Sequence, residues 1–490
     1  MKRIQVAASF AALALSSGMA HAGWTPAQLN TLAGEFATGI STSFTVTPYT
    51  FEFMDASHCF TGTSNCAGAN PDSPYAMLAN IPTFGDATMM GDSDAQVLIM
   101  ETPPPLVYFA ITPYLMSRYY STAVQANGWK AKTYGEVFES IGDSINTYEI
   151  KTNGSTLPGV NPNSALTVFV MTADANTYKA VAKEFASLGF PSSAINQIKM
   201  PVRGAGLRML PTKDADSFMM MMRVAYPIYP SDQTALNSYI AANPFQFMQL
   251  TAPTGTKWAS SGNPADKVPG AGTIESADLQ ASRDELINDL LIQYQAEGYT
   301  VTEITPPADI QTINYDCIPA GTLCNGDNPD ALYMHDIQGW NLSPDSKDKM
   351  LVVGVDHVAT GKATYISESI VDHQHDVGVA AAADAPGSAP PGIATQSTML
   401  VGSALQMDGI TDSSDPRYGD YSKLYALTIG YDCTGEIVCL TIPIYDGTNA
   451  GIVPGDTIDL TGRSYVDPVT LTRPSTSEII DHRVFLLTLN

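Results

Sequence analysis

One motif occurs twice in this chain, and it constrains the fold more than any other feature. Residues 59–75 read CFTGTSNCAGANPDSPY, and residues 317–333 read CIPAGTLCNGDNPDALY. Both fit the pattern C-x6-C-x3-N-P-D-x2-Y at a constant offset of 317 − 59 = 258 positions. Self-similarity at one fixed offset indicates repeated structural units. In both copies a helix pattern and then a strand pattern precede the motif, at 25–40 and 43–46 and at 277–297 and 299–304.

The stretch between the two copies has a different pattern. Apolar strand patterns alternate with two amphipathic helix patterns in the order β-α-β-β-α-β, and the first of these helices is predicted over 175–188. This order is typical of a ferredoxin-like fold. We therefore predict an α+β protein in which two duplicated β-rich modules flank a ferredoxin-like insert. Each module is expected to run helix, strand, disulfide turn and hairpin. In the second module, residues 350–357 and 363–371 are predicted to pair as a hairpin around Thr360-Gly361.

These patterns predict the domain boundaries. The expected order is a signal peptide over 1–22, a first β-rich module over 23–160, the ferredoxin-like insert over 161–254, a linker over 255–274, and a second, extended β-rich module over 275–490. The linker is recognised by its Gly, Pro and Ser content.

The first 22 residues have the three parts of a secretory signal. Lys2 and Arg3 form a basic start, an apolar stretch follows, and Ala-His-Ala precedes Gly23. The alternative is an uncleaved membrane anchor. No later segment offers the roughly 18 apolar residues that a membrane-spanning helix needs. The sequence therefore predicts a periplasmic or secreted protein without a membrane span.

Six cysteines form three close pairs in the sequence. Because an exported protein meets an oxidising compartment, we predict three local disulfides. The predicted pairs are Cys59–Cys66, Cys317–Cys324 and Cys433–Cys439. A zinc site is a weaker interpretation, since zinc-binding cysteines are usually spaced C-x2-4-C.

The charge balance excludes nucleic acids and anionic membrane surfaces as general partners. The chain has 24 Lys and Arg residues against 49 Asp and Glu residues, which gives a net charge of −25. Nucleic acids and anionic membrane surfaces would repel such a chain. The expected partner is a small-molecule or polymeric extracellular substrate, and the sequence does not determine the oligomeric state.

The second copy of the motif carries candidates for acid–base chemistry. We predict His357 as a general base, Asp330 as its orienting or acid group, and Tyr365 as a hydrogen-bond donor to an oxyanion or ligand. The leading hypothesis is a secreted hydrolase with its site in the second module. The alternative is a non-catalytic exported ligand-binding protein, in which the N-P-D-x2-Y segments are disulfide-pinned turns that cap strands.

Four further residues are candidate ligand contacts. Asp72 and Tyr75 of the first motif and Tyr333 of the second would line a pocket between the modules. Arg118, which lies among Tyr114, Tyr119 and Tyr120, would hold a carboxylate ligand. Its alternative is a surface arginine stacked on aromatic rings.

Histidines suggest a metal site. His335, His373 and His375 are candidate ligands for Zn²⁺ or Cu²⁺, since two positions apart on a strand share one face. This gives a third hypothesis, a metal-dependent oxidoreductase, while solvated or structural histidines are the alternative. The acidic loops at 325–330 and 412–420 are candidate Ca²⁺ sites.

Overall fold

The protein is a mixed α+β protein, mostly sheet with few helices. The structure, a computed structural model, describes residues 25–55, 57–60, 66, 68–81, 87–122, 132–154, 162–202, 206–264, 267–270, 272–304, 317–344, 347–384, 398–447 and 449–489. The predicted signal peptide lies outside these residues, and the side chains of residues 58, 230 and 335–338 are not described either.

The first half of the chain contains helices α1–α4 and strands β1–β11. The helices are α1 (Pro26–Ile40), α2 (Ser57–Phe60), α3 (Ala175–Ser187) and α4 (Gln233–Ala242). The strands are β1 (Thr45–Phe53), β2 (Tyr75–Ala79), β3 (Thr88–Met89), β4 (Ala95–Glu101), β5 (Phe109–Tyr120), β6 (Thr133–Ser140), β7 (Ile145–Asn146), β8 (Leu166–Thr172), β9 (Ile195–Lys199), β10 (Ser217–Val224) and β11 (Phe245–Thr251).

The second half contains helices α5–α8 and strands β12–β20. The helices are α5 (Ala277–Ala296), α6 (Cys317–Ala320), α7 (Ser403–Met407) and α8 (Tyr418–Tyr421). The strands are β12 (Tyr299–Ile304), β13 (Ala331–Trp340), β14 (Lys349–Val355), β15 (Tyr365–Asp372), β16 (Val377–Ala383), β17 (Leu424–Gly430), β18 (Cys439–Thr441), β19 (Ile458–Tyr465) and β20 (Arg483–Leu489).

Both halves arrange their strands in the same order. The first half has a four-strand group β6-β5-β10-β2 and a five-strand group β1-β11-β4-β8-β9, which β1 joins into one sheet. The second half has the groups β16-β15-β19-β13 and β12-β20-β14-β17-β18 as two separate sheets. The parallel pairs β8·β9 and β17·β18 occupy the same place in the two orders.

Local sequence signals explain where the longer helices begin. Thr25 accepts a hydrogen bond from Gln28 N while the Gln28 side chain reaches back, which is a capping box. Asp174 and Ser276 cap α3 and α5 through their side chains. The prediction of a helix over 175–188 is thereby confirmed to within one residue.

The five-strand group of the first half is buried on both faces. Alternate residues of β4 point in opposite directions, so that Val97 and Ile99 pack with α1 and α3. Leu98 and Met100 belong to the cluster between the sheets, together with Phe218 of β10. Burial on both faces explains why β4 is a continuous apolar run.

The predicted hairpin is wrong. The expected partner of β14 was β15, but β14 pairs with β17 and β20, whereas β15 pairs with β16 and β19. Each of the two strands is buried along its whole length and already has a neighbour on both edges. The turn at 356–364 therefore crosses from one sheet to the other.

The predicted ferredoxin-like insert is not confirmed. β8 and β9 pair with each other, but β10 pairs with β2 and β5, and β11 pairs with β1 and β4. These four strands complete the sheets of the first half and do not form a sheet of their own. The order of elements along the chain was predicted correctly, but it does not encode which strands pair.

All three predicted disulfides are present, namely Cys59–Cys66, Cys317–Cys324 and Cys433–Cys439. They are compatible with an extracellular or periplasmic location. Among the described residues, no helix combines the length and the apolar composition that crossing a membrane requires.

Candidate functional site

Two buried arginines lie where the halves meet. Arg223 of β10 and Arg463 of β19 stand opposite Tyr75 and Tyr333, the tyrosines that end the two motifs. The arginines are only 3% and 4% exposed. Each guanidinium lies over the ring of its tyrosine, at 5.5 Å and 5.7 Å from the ring centre. This is cation–π geometry, and it partly compensates the loss of water around the charge.

Each arginine binds the disulfide loop of the other half. Arg223 Nη2 donates a hydrogen bond to Gly326 O, and Arg463 Nη2 donates to Gly68 O over 2.9 Å. Because 68 + 258 = 326, the two glycines occupy the same position of the repeated motif. The two halves are therefore joined by the same contact made twice, in opposite directions.

The disulfide loops also cover the edge strands of the opposite half. Gly68 N donates to Asp376 O over 2.7 Å, next to β16, and Gly326 N donates to Phe138 O of β6 over 2.9 Å. β6 and β16 stand at the ends of the two strand orders. An uncovered edge strand exposes unpaired backbone groups, so these loops protect both halves from edge-to-edge association.

The N-P-D turns make a second exchanged contact. Asn70 Nδ2 donates to Tyr365 Oη over 2.7 Å, and that hydroxyl donates to Asp72 Oδ2 over 3.3 Å. The same pair of contacts in the other direction links Asn328, Tyr108 and Asp330, over 3.4 and 3.1 Å. All these residues are buried. We call the exchanged arginine and N-P-D contacts the reciprocal lock.

The two aspartates of the reciprocal lock differ in charge compensation. Asp330 also accepts hydrogen bonds from Asn146 Nδ2 over 3.0 Å and from Lys267 Nζ over 3.4 Å. Asp72 has no ion-pair partner in the described ranges. Burial raises the pKa of Asp72 to about 8, an effect that the hydrogen bond from Tyr365 only partly offsets. At neutral pH the Asp72 carboxyl is therefore mostly protonated.

The three predicted catalytic residues are not brought together. His357 is fully buried, with its Nδ1 2.9 Å from Glu275 Oε1 and its Nε2 3.2 Å from Met334 Sδ. Asp330 and Tyr365 belong to opposite sides of the reciprocal lock. Across the described part of the chain, none of the three hydrogen-bonds to another. His357 does have an orienting carboxylate, but this is Glu275, which sequence reasoning missed because it lies 82 positions away.

The predicted ligand contacts also have partners within the protein. Arg118 forms a two-pronged ion pair with Asp216, with its Nε and Nη2 atoms 2.8 and 2.6 Å from the carboxylate oxygens. It is buried, so the expected surface stacking is not its environment. Tyr75 Oη accepts a hydrogen bond from Asn70 N over 3.0 Å. Tyr75 and Tyr333 pack against the arginines of the lock.

The second half has a buried polar cluster without an equivalent among the described residues of the first half. His482 Nδ1 lies 2.8 Å from Glu368 Oε1, and Tyr425 Oη donates to the same oxygen. Burial alone would lower the pKa of His482, but the Glu368 carboxylate raises it to about 9. Glu368 stands opposite Gly462, whose missing side chain leaves room for the His482 ring, 3.1 Å from where a Cβ would be.

Because Arg223 and Arg463 make equivalent contacts, they show which positions of the first half correspond to Glu368 and Gly462. Gly462 precedes Arg463 as Met222 precedes Arg223. The strand partner of Met222 is Ile111, where the second half has Glu368. An apolar pair in one half is thus a glutamate and a glycine in the other. No spacing in the sequence indicates this difference, because it appears only when the two strand registers are compared.

A cavity of about 470 Å³ lies beside β9. We call it the lysine cavity, and its polar lining residues are Asp143, Ser144, Glu149, Lys151, Asn196, Gln197, Lys199 and Lys267. Lys267 Nζ contacts Glu149 Oε2 at 2.5 Å and Asp330 Oδ1 at 3.4 Å. Burial would lower the pKa of Lys267, but these two carboxylates raise it. Lys151 and Lys199 have no ion-pair partner within the described segments.

Two of the predicted metal ligands, His373 and His375, contact different carboxylates. His373 Nδ1 is 2.8 Å from Asp459 Oδ2, whereas His375 Nδ1 is 3.1 Å from Asp372 Oδ1 and 3.0 Å from Asp456 Oδ2. His375 therefore faces Asp372, which flanks the histidine pair in the sequence, and Asp456, which the sequence did not pair with it. The side chain of His335 lies outside the described residues.

In the two predicted calcium loops, acidic side chains contact other residues of the protein. Asp327 accepts hydrogen bonds from Ser140 N over 2.7 Å and Ser140 Oγ over 2.5 Å. In the other loop, Asp415 pairs with Arg417 at 3.3 Å, and Asp420 accepts from Ser282 Oγ over 3.1 Å. Hydrogen bonds and ion pairs thus occupy these carboxylates, and Ca²⁺ binding there stays a prediction.

Comparison with known proteins gives no family. No family model and no curated protein matches the chain. Among solved structures, the crystal structure of the VPA0106 protein from Vibrio parahaemolyticus is similar with 9% sequence identity and a TM-score of 0.34, covering 94% of this chain and 100% of that one. A TM-score this low assigns neither fold nor function.

The two aspartates of the lock should respond differently to substitution by asparagine. In the folded protein the pKa of Asp72 is about 8, whereas the ordinary pKa of an aspartate is 3.8. The contribution of the protonated Asp72 carboxyl to the free energy of unfolding is therefore complete below pH 3.8 and is lost as the pH rises toward 8. We expect Asp72→Asn to gain stability relative to the wild type across this window, by at most about 1.4 kcal/mol per pH unit. Urea unfolding at several pH values measures the difference.

Asp330→Asn is the matched control. The substitution leaves the Lys267 ammonium and the Tyr108 hydroxyl facing an amide, so it should destabilise the fold at pH 7 by about 1–3 kcal/mol. A difference between wild type and Asp72→Asn that stays constant from pH 5 to pH 8 would contradict the assignment of a protonated Asp72.

Proposed function

We propose that the protein is an exported binding protein whose ligand is a small anionic molecule held in the lysine cavity. The observation that supports this most directly is that Lys151 and Lys199, on the wall of a 470 Å³ cavity, have no ion-pair partner among the residues that the structure describes. A volume of this size suits a small-molecule ligand.

Charge makes this cavity unusual for the chain. Acidic residues outnumber basic ones by 49 to 24. Lys267 is more than balanced by Glu149 and Asp330, whereas Lys151 and Lys199 outnumber Asp143 by one, so the charges of these six groups sum to zero. A neutral cleft that carries Lys151 and Lys199 on its wall repels an anion less than the rest of this acidic protein does. A carboxylate or phosphate group between the two ammonium groups would supply the missing charge.

The position of the repeated motif favours binding over chemistry at that motif. A catalytic role for the N-P-D-x2-Y residues requires them to face an open pocket, whereas a structural role requires them to be packed. Asp72 and Asp330 are buried in the reciprocal lock, where both hydrogen-bond to tyrosines of the opposite half. This supports the interpretation of the motif as a strand-capping turn that joins the halves.

We infer that the two halves are copies of one ancestral unit. Support comes from the identical strand orders, the equivalent parallel pairs and the exchanged contacts at a constant offset of 258. In this interpretation the strands predicted as an insert belong to the first copy, since their counterparts in the second copy are β17–β20. Export is part of the proposal and is supported by the signal-like residues 1–22 and the three disulfides.

Anion binding can be tested by calorimetry on the secreted protein. Inorganic phosphate, succinate and a sugar phosphate serve as probes, with glycerol as the neutral control. We expect at least one anion to bind, and the Lys151→Gln, Lys199→Gln double variant to bind it at least about tenfold more weakly, a loss of about 1.4 kcal/mol. The affinity should also fall with added salt.

The control for this experiment is the Lys179→Gln, Lys183→Gln double variant, which removes the same charge from the exposed face of α3. It should bind like the wild type. If no anion binds at millimolar concentration, or if the two double variants behave alike, the lysine cavity is not the ligand site.

A second candidate is an acid–base hydrolase with its site in the second half. The specific observation is the carboxyl pair Asp356 and Asp384, whose charges interact and each of which has an oxygen without a hydrogen-bond partner among the described residues. Burial, and then the neighbouring Asp356 charge, raise the pKa of Asp384 well above its usual range. Two carboxyls with one proton between them can supply a general acid and a general base at the same pH.

Hydrolysis can be tested with chromogenic esters and glycosides. If the second candidate holds, the wild type cleaves one of them, and Asp384→Asn lowers kcat by at least about 100-fold, since it removes the shared proton. Asp412→Asn, at an exposed position, is the control and should keep full activity. Activity that survives in Asp384→Asn would exclude the pair as the catalytic groups.

A further inference from the structure

We propose that Asp372, His375 and Asp456 form a binding site for a divalent transition-metal ion such as Zn²⁺. The three ligand atoms lie within 4.8 Å of one another, at the turn that links β15 to β16. This site is independent of the lysine cavity. It keeps one of the histidines that the sequence indicated and pairs it with the nearby Asp372 and with Asp456, which only the fold brings near.

Asp372 forms the rigid wall of this site. It is fully buried at the end of β15, and its Oδ1 accepts hydrogen bonds from Gln374 N over 3.1 Å and His375 N over 3.0 Å. Its other oxygen, Oδ2, accepts one from Val453 N over 3.0 Å. Three backbone hydrogen bonds therefore fix the carboxylate and the start of the turn, so that little ordering is left for a metal to impose.

The spacing of the ligand atoms suits a tetrahedral ion. His375 Nδ1 lies 3.1 Å from Asp372 Oδ1 and 3.0 Å from Asp456 Oδ2. Nitrogen and oxygen ligands sit about 2.0–2.1 Å from Zn²⁺, which places neighbouring ligand atoms of a tetrahedron about 3.3 Å apart. Small side-chain movements at the exposed end of the turn would open the site by this amount. Three protein ligands also leave a fourth position for water or a ligand group.

Asp456 supplies an independent reason to expect a cation. Its Oδ2 is shielded from solvent and accepts no hydrogen bond from the described residues, although His375 Nδ1 lies close to it. The close distance without hydrogen-bond geometry means that the imidazole does not satisfy this oxygen. Buried carboxylate oxygens are usually satisfied by donors or by metal ions. A bound cation would satisfy it and would also reduce the repulsion between Asp456 and Asp372.

The surroundings would shield such a site on one side. The ring of Phe60, from the disulfide loop of the first half, lies 5.8 Å from the His375 ring and stacks on Tyr445 at 4.9 Å. An apolar wall restricts solvent access and strengthens the electrostatic attraction between ion and ligands. His373 belongs to no comparable group of three within the described residues, since its described partner is Asp459.

Metal titration of the whole protein tests this proposal. After treatment with a chelator and dialysis, Zn²⁺ is titrated in competition with a chromophoric indicator, and the melting temperature is recorded with and without Zn²⁺. The wild type should bind one equivalent and melt at a higher temperature when loaded, since a ligand that binds only the folded state stabilises it. His375→Ala and Asp456→Asn, both at partly exposed positions, should each weaken binding more than about tenfold.

His373→Ala is the matched control, because it removes the neighbouring histidine of the same turn. It should bind Zn²⁺ as the wild type does. The proposal is overturned if the wild type binds no Zn²⁺, or if His373→Ala loses as much affinity as His375→Ala. Retention of binding in both His375→Ala and Asp456→Asn would likewise assign the ion to another place.

Discussion

The exchange of arginine contacts between the halves is the interaction on which the rest of the structure depends. A guanidinium cannot give up its charge inside a protein, so Arg223 and Arg463 must have acceptors or aromatic faces where they lie. The carbonyl of Gly326 or Gly68 comes from the opposite half in each case. Separating the halves would leave two charged groups and two carbonyls to be resolvated and would expose the edges of β6 and β16. Each disulfide loop therefore binds the arginine and covers the edge strand of the opposite half.

The two halves share a geometry and differ in chemistry. The lock uses the same residue types twice, yet Asp330 has the Lys267 ammonium beside it while Asp72 stands without a cation in the described structure. In the sheet cores, Ile111 and Met222 face each other in one half, and Glu368 and Gly462 do so in the other. Buried charged groups are costly unless they are paired, and in the second half Glu368 is paired with His482.

The sequence predicts local structure and local bonds well. The disulfides, the ends of α3 and α5, and most strands follow from spacing, capping residues and apolar runs, and the structure confirms them. The strand partners could not be predicted, because β14 and β15 are adjacent in sequence but each is a buried central strand in a different sheet. Pairing was assigned from proximity along the chain, whereas the real partners, such as β14 and β20, lie more than a hundred residues apart.

The candidate sites could not be predicted from the sequence either, because their residues come from segments that are distant along the chain. His375 was singled out because His373 is near it in sequence, but its close neighbours Asp372 and Asp456 come from two segments. The lysine cavity gathers Lys151, Lys199 and Lys267 from separate loops and strands. The sequence did indicate Asp72, Tyr75, Asp330 and Tyr333, as residues of the repeated motif, but their role depends on arginines and tyrosines elsewhere in the chain.

The central claim is that the reciprocal lock makes the two halves one cooperative unit. Differential scanning calorimetry of the wild type and of Arg463→Met tests it most directly. For the wild type we expect a single transition with equal calorimetric and van't Hoff enthalpies. Arg463→Met, which leaves Gly68 O without its donor, should lower the temperature at which both halves unfold. Two separate transitions in the wild type, or a variant in which only the second half loses stability, would contradict the account.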